Sequence, residues 1–228
     1  AGEVTRKGEG RLAIAVTSSD ASLAQLARRA FGLPGGCTVT PASKAAFTIQ
    51  IERASESSVT LTISSAGQEQ LRRSVAGSDL QNATLRACDM AVEATSHLPG
   101  FFAGKLAFVG KQRGVSELYT SDLLFGRVRS LTADRALITG PSWSADGTKL
   151  LYTTYYKTGR PDIYRIDLNS GLKKPVATYK GTNSGGAFSP DGRSIAMSLF
   201  ASGSAEIYVG DATGRNPRRL TKNKSLET

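Results

Sequence analysis

Few residues in this sequence could do chemistry, and the clearest candidates are two carboxylates. Asp146 and Asp191 each sit in a Ser-x-Asp-Gly unit, Ser144–Gly147 and Ser189–Gly192. A pair of carboxylates flanking one bond would be glycosidase machinery. These two stand 45 residues apart in matching surroundings, as do Trp143 and Phe188 just before them. Equivalent positions in two copies of a unit make them hairpin residues, with Gly147 and Gly192 accepting the positive φ of a tight turn. Any Ser–His–Asp triad would have to use His97, the single histidine. It stands two residues before Pro99, at the end of a helical pattern where the dipole favours it. No Gly-x-Ser-x-Gly elbow occurs. Gly32–Gly36 (GLPGG) has no Lys-Ser/Thr after it, as a phosphate loop requires. Cys37 and Cys88 lack metal-ligand spacing. Buried free thiols are the preferred reading, although an oxidising compartment would permit a bridge. The expectation is no catalytic residue, no cofactor and no metal.

The aromatics divide by recurrence. Tyr119, Tyr164 and Tyr208 recur at spacings of 45 and 44 residues. Like Trp143 and Phe188, they are expected to pack between neighbouring sheets. Tyr155 and Tyr156 do not recur and fall in a loop, which makes them the better candidates for contact with a partner.

The elements that carry these residues follow from periodicity. Arg11–Val16 is an apolar strand, and Ser18-Ser19-Asp20 caps a helix with Leu23, Leu26, Ala27 and Ala30 on one face. Three strands follow in CTVT, AAFTIQIE and SVTLTIS, with Phe47, Ile49 and Ile51 alternating with polar residues. Ser55–Ser57 turns the second into the third, and Gln70–Val75 is a weaker last strand. Asp79 caps a second helix lined by Leu80, Leu85, Cys88 and Val92, which Pro99-Gly100 stops. Residues 1–102 thus read as a small mixed α/β domain.

From residue 103 the strand period takes over. A unit repeats about every 45 residues: an aromatic strand, an Asp-Gly turn, an apolar strand, a glycine turn, an Ile/Leu-Tyr strand and a basic strand. Four short strands per period of that length is the signature of a β-propeller. Residues 103–228 hold about three blades, and the first lacks its Trp-Ser-x-Asp-Gly strand. The fold class is therefore a small α/β domain followed by all-β propeller blades.

Charge is uneven. The net charge is +10; residues 1–103 contribute +1 and residues 104–228 contribute +9. A basic half suits nucleic acid, an anionic surface or an acidic protein partner. The cations are spread over turns and strand ends in every repeat, which reads as solvated blade faces rather than a nucleic-acid site. No apolar run approaches bilayer length, so no membrane insertion is expected.

On WSADG, FSPDG, the Ile-Tyr strands and the Leu-Thr ends, following a small α/β domain, the chain resembles the TolB family of the Gram-negative envelope. Similar repeats occur in peptidase propellers, and the order of the two domains is what points to TolB. The resemblance implies a six-bladed, non-enzymatic, periplasmic scaffold whose signal peptide has been removed. It implies two partners: the peptidoglycan-associated lipoprotein on the propeller, and TolA on an amino-terminal segment matched here by Glu3, Val4, Thr5, Arg6 and Lys7. Half of a six-bladed ring is either a fragment or one half of a homodimer; the stop inside an inter-blade connection favours the fragment. Two other readings are an enzyme's propeller cut short of its catalytic part, and a propeller that binds carbohydrate or peptidoglycan.

Overall fold

A computed structural model describes residues 11–33, 37–112, 114–200 and 203–222. The sequence expectations for Glu3–Lys7 and for the glycine-rich residues 34–36 lie outside these. The chain divides into two compact units: residues 1–105 with 122–126, and residues 106–121 with 127–228.

The first unit is built on β1 (Leu12–Thr17), β2 (Cys37–Val39), β3 (Phe47–Arg53), β4 (Ser58–Ser65) and β5 (Gln68–Ala76). They form one sheet in the order β2-β1-β3-β4-β5, with β1 parallel to both neighbours and the rest antiparallel. β5 runs for nine residues although its alternation is weak, because it pairs along the whole of β4. Two helices, α1 (Ala21–Phe31) and α2 (Leu80–Ser96), pack against this sheet and each other. Both start at an aspartate: Asp20 accepts from the Ser22 and Leu23 N–H groups, and Asp79 from that of Asn82. Ile49, Ile51, Leu61 and Ile63 meet Leu23, Ala27, Leu85 and Val92 in one core. Cys37 and Cys88 are buried in it, and desolvation pushes both thiols up, Cys88 far more. His97 closes α2 in the left-handed conformation, its N–H bonded to the Glu93 carbonyl. Asp89 accepts the N–H groups of Phe102 and Ala103 and so fixes the chain as it leaves the helix.

The second unit has no helix among its described residues. Its first sheet joins β6 (Lys105–Gln112), β7 (Val115–Asp122) and β8 (Arg129–Ser130). The second joins β9 (Ile138–Trp143), β10 (Lys149–Thr154), β11 (Asp162–Asp167) and β12 (Lys173–Ala177). The third joins β13 (Asn183–Phe188), β14 (Ser194–Leu199), β15 (Glu206–Asp211) and β16 (Arg218–Arg219). The two complete sheets are antiparallel in chain order, as propeller blades are. The first lacks the strand before its apolar strand, as the repeat foretold.

Two apolar layers hold the sheets together. Leu118 of β7 packs with Leu150, Tyr152, Tyr164 and Ile166, and Trp143 and Ala107 border them. Leu151, Ile163 and Ala177 pack with Ile195, Met197 and Leu199, bordered by Phe188 and Tyr208. Trp143, Phe188, Tyr164 and Tyr208 therefore lie between sheets, as expected, whereas Tyr119 stacks on Phe108 of its own sheet and faces a groove. The Ser-x-Asp-Gly units make turns with the same hydrogen bonds. Ser144 Oγ donates to Asp146 and accepts from the Lys149 N–H, while Asp146 accepts the Thr148 N–H at 3.0 Å. Ser189, Ser194, Asp191 and Arg193 repeat those bonds, with the last also 3.0 Å. These donors, the serine hydroxyls first, hold both carboxyls below the usual carboxylate range. Asp167 and Asp211 do likewise in the next turn of their sheets.

Two glycine substitutions separate conformational strain from crowding. Gly192 (φ +69°) faces open space, so Gly192→Ala is expected to lower unfolding free energy by about 1 kcal/mol from the left-handed backbone alone. At Gly214 (φ +82°) a Cβ would fall 2.4–2.5 Å from Val176 of the neighbouring sheet, so Gly214→Ala is expected to cost clearly more in the same denaturation assay. The turn aspartates set an acid dependence. A folded-state pKa below the unfolded one contributes stability that is present above the unfolded value and lost as pH falls toward the folded one. Thermal midpoints measured between about pH 5 and pH 2 should therefore fall less steeply in Asp146→Asn/Asp191→Asn than in the parent.

Candidate functional site

Antiparallel order puts two kinds of connection at opposite ends of each propeller sheet. The Asp-Gly turns and the turns at Asp167 and Asp211 share one end. The loops between the second and third strands share the other end with the connections from one sheet to the next. Tyr155 and Tyr156 lie at this second end. Tyr155 is half-buried and donates its N–H to the Leu137 carbonyl at 3.1 Å. Tyr156 is 46% exposed, with the Lys173 ammonium 5.4 Å above its ring. Phe200 repeats the Tyr155 backbone bond, donating to Thr182, and Phe200 and Tyr179 are also exposed.

The strand after each apolar strand carries an acid at or near its start, and all three acids bond to the connection that follows. In the first sheet Glu117 accepts the Thr132 hydroxyl and the N–H groups of Asp134 (3.2 Å) and Arg135 (2.9 Å). Thr132 in turn accepts the Leu118 N–H. In the third, Glu206 is fully buried, accepts the Thr221 hydroxyl at 2.7 Å and pairs with Arg219, and Thr221 accepts the Ile207 N–H. The second sheet solves the same problem differently. Asp162, 2% exposed, accepts the Thr158 hydroxyl at 2.8 Å and the Asn183 amide at 3.1 Å. Asn183 belongs to the next sheet, and its N–H and amide also reach the Pro161 carbonyl. The carboxylates thus tie each strand start to the connection that leads onward.

A fourth carboxylate, Asp134, is 4% exposed and pairs with Lys173, which joins the first inter-sheet connection to the outer strand of the second sheet. Beside it, a groove of about 550 Å³ is lined by Gln112, Val115, Glu117, Tyr119, Thr132 and Arg135, among others. Arg135 holds φ +52°, a left-handed backbone uncommon for a residue with a side chain, and Glu117 receives its N–H. Its side chain is exposed.

Sequence reasoning singled out Tyr155 and Tyr156 as contact candidates and gave the inward acids no role. Their signal was present: Glu117, Asp162 and Glu206 recur at the repeat spacing, and two of them are answered by the threonine of a Leu-Thr strand end. The arrangement offers loops, aromatic rings and charges rather than a reactive constellation. No cluster of metal-ligating side chains occurs among the described residues. Asp146 and Asp191 lie in separate sheets, each bonded within its own turn.

A family model described as the TolB β-propeller domain matches residues 92–228. The Tol-Pal system protein TolB of Anaeromyxobacter dehalogenans (strain 2CP-1) is 30% identical over 164 residues, 71% of this chain and 37% of that protein. The protein of the same name from Desulfosudis oleivorans is 30% identical over 138 residues, 60% of this chain and 31% of that protein. The chain thus spans about a third of the length of these curated relatives. The crystal structure of TolB from Acinetobacter baumannii has the same fold, with a TM-score of 0.84 and 23% identity over 96% of this chain and 62% of that one. With its repeat, its inward acids and its sheet order accounted for, the chain belongs to the TolB β-propeller family.

Proposed function

We propose that the chain is a non-enzymatic, periplasmic binding module that links envelope proteins of a Tol–Pal system. The family match carries this reading, since relatives at 30% identity are Tol-Pal system proteins. The loop end of the propeller sheets would receive the peptidoglycan-associated lipoprotein, with Tyr156 as an anchor and Tyr155 supporting the loop. Exposed tyrosines suit this role because they bring large contact area with little conformational entropy to lose. Residues Glu3–Lys7 would engage TolA.

The chemistry of the candidate residues favours binding over catalysis. A glycosidase acid needs a raised pKa. Asp146 and Asp191 are held low by their own turns instead. His97 has its backbone committed to capping α2.

The test is binding of the purified protein to the peptidoglycan-associated lipoprotein and to the periplasmic part of TolA from the same bacterium, by calorimetry. Saturable binding of both is expected. Tyr156→Ala should weaken lipoprotein binding by roughly tenfold, as loss of an anchor does, and leave TolA binding unchanged. Deletion of residues 3–7 should do the reverse. Binding of neither protein would overturn the reading.

A further inference from the structure

The two ends of the propeller sheets differ in charge, and the inward acids are the cause. At the turn end, Asp146 and Asp191 are exposed among Arg193 and Arg215, so both signs face solvent. At the loop end the carboxylates among the described residues are Glu117, Asp134, Asp162 and Glu206. All four take hydroxyl, amide, backbone or cationic donors from the sheet and its connections, Asp134 through one oxygen only. Three of them are almost wholly buried: Asp134, Asp162 and Glu206. Among the described residues the exposed charged groups left there are Lys111, Arg135, Lys157, Arg160, Lys180 and Lys222, all cations. Bonds between sheets tie the parts of this end together. Lys173 meets Asp134 and covers Tyr156, and Asn183 meets Pro161 and Asp162.

We propose that this loop end is a docking surface for an acid-rich, extended segment of a partner protein. The proposal rests on the protein-binding reading above and adds the chemistry of what is bound. Three features carry it. A single sign of charge spread over three successive sheets matches a chain of carboxylates better than a point anion. Exposed Tyr156, Tyr179 and Phe200 lie among the cations and give the segment's apolar side chains a surface to cover. Arg135 is held by its backbone in the left-handed region beside the groove, with its side chain exposed. The outward cations attract the segment, and the inward acids keep repulsion away from it.

The experiment measures binding of labelled poly-L-glutamate by fluorescence anisotropy, with a single-stranded oligonucleotide and solubilised peptidoglycan as competing ligands. Two charge reversals are compared: Lys157→Glu/Arg160→Glu/Lys180→Glu at the loop end, and Arg193→Glu/Arg215→Glu at the turn end. Thermal melting checks that both remain folded. The loop-end variant should lose binding by about tenfold or more, with the turn-end variant close to the parent. Raising salt from about 50 mM to about 500 mM should weaken the parent's binding by a similar factor. Equal loss in the two variants, no loss in the loop-end variant, or tighter binding of the oligonucleotide or peptidoglycan than of the glutamate polymer would overturn the proposal. If the peptidoglycan-associated lipoprotein binds the parent and the loop-end variant equally, the acid-docking idea fails while the Tol–Pal reading stands. If the lipoprotein binds neither and the polymer binds as described, the reverse holds.

Discussion

A carboxylate at the start of the third strand, buried against the connection that follows, is the constraint on which the propeller unit depends. Backbone groups leaving a short strand at a sheet end have lost their ladder partners and need others. Glu117 takes two such N–H groups, from Asp134 and Arg135, and Thr132 takes a third from Leu118. Asp162 binds the side chain of Asn183, the first residue of the next sheet. A buried acid without donors would be costly. Its presence therefore obliges the connection to follow one path, and the sheets then meet with their apolar layers in register. The layers supply most of the area removed from water, and the acids specify how it is removed.

The same device shapes the outer surface. An acid used internally is an acid withdrawn from solvent, so the exposed lysines and arginines described at the loop end, Lys173 and Arg219 aside, stand without a carboxylate beside them. At the turn end the aspartates serve local hydrogen bonds within Ser-x-Asp-Gly and related turns and stay in water. One repeat unit thus makes two chemically distinct ends, and function follows from which end a partner meets. The net charge of the propeller half is a consequence of its strand and turn chemistry as much as of any selection for binding.

Much of this was legible in the residues. The 45-residue spacing of Trp143 and Phe188, and of the Asp-Gly pairs, is a local pattern repeated, and local patterns survive in a one-dimensional reading. So do helix caps such as Asp20 and Asp79, whose partners lie two or three residues away. The segregation of charge was not legible. It depends on pairs such as Asp134 with Lys173, 39 residues apart, and Asp162 with Asn183, 21 apart, which no periodicity announces. The cations therefore read as evenly spread when only their positions along the chain are considered. β5 was underestimated for a related reason, since its length is set by pairing with β4 rather than by its own alternation. The exposure of Tyr156 was foreseeable from its failure to recur, but the lysine above its ring was not.

The link between the inward acids and the joining of sheets is open to one direct measurement. A double-mutant cycle on Asp162→Ala and Asn183→Ala, read by denaturant unfolding, isolates the bond that runs from the second propeller sheet to the third. Each single change breaks this bond while the surviving partner keeps its others, Asn183 those to Tyr179 and Pro161 and Asp162 that to Thr158, so the cycle isolates the shared term. The expected result is a coupling of about 1–3 kcal/mol, with the double variant much less destabilised than the sum of the singles. Additivity within about 0.5 kcal/mol would contradict the account. It would mean that the apolar layers alone seat one sheet on the next, and that the carboxylates merely occupy the space between them.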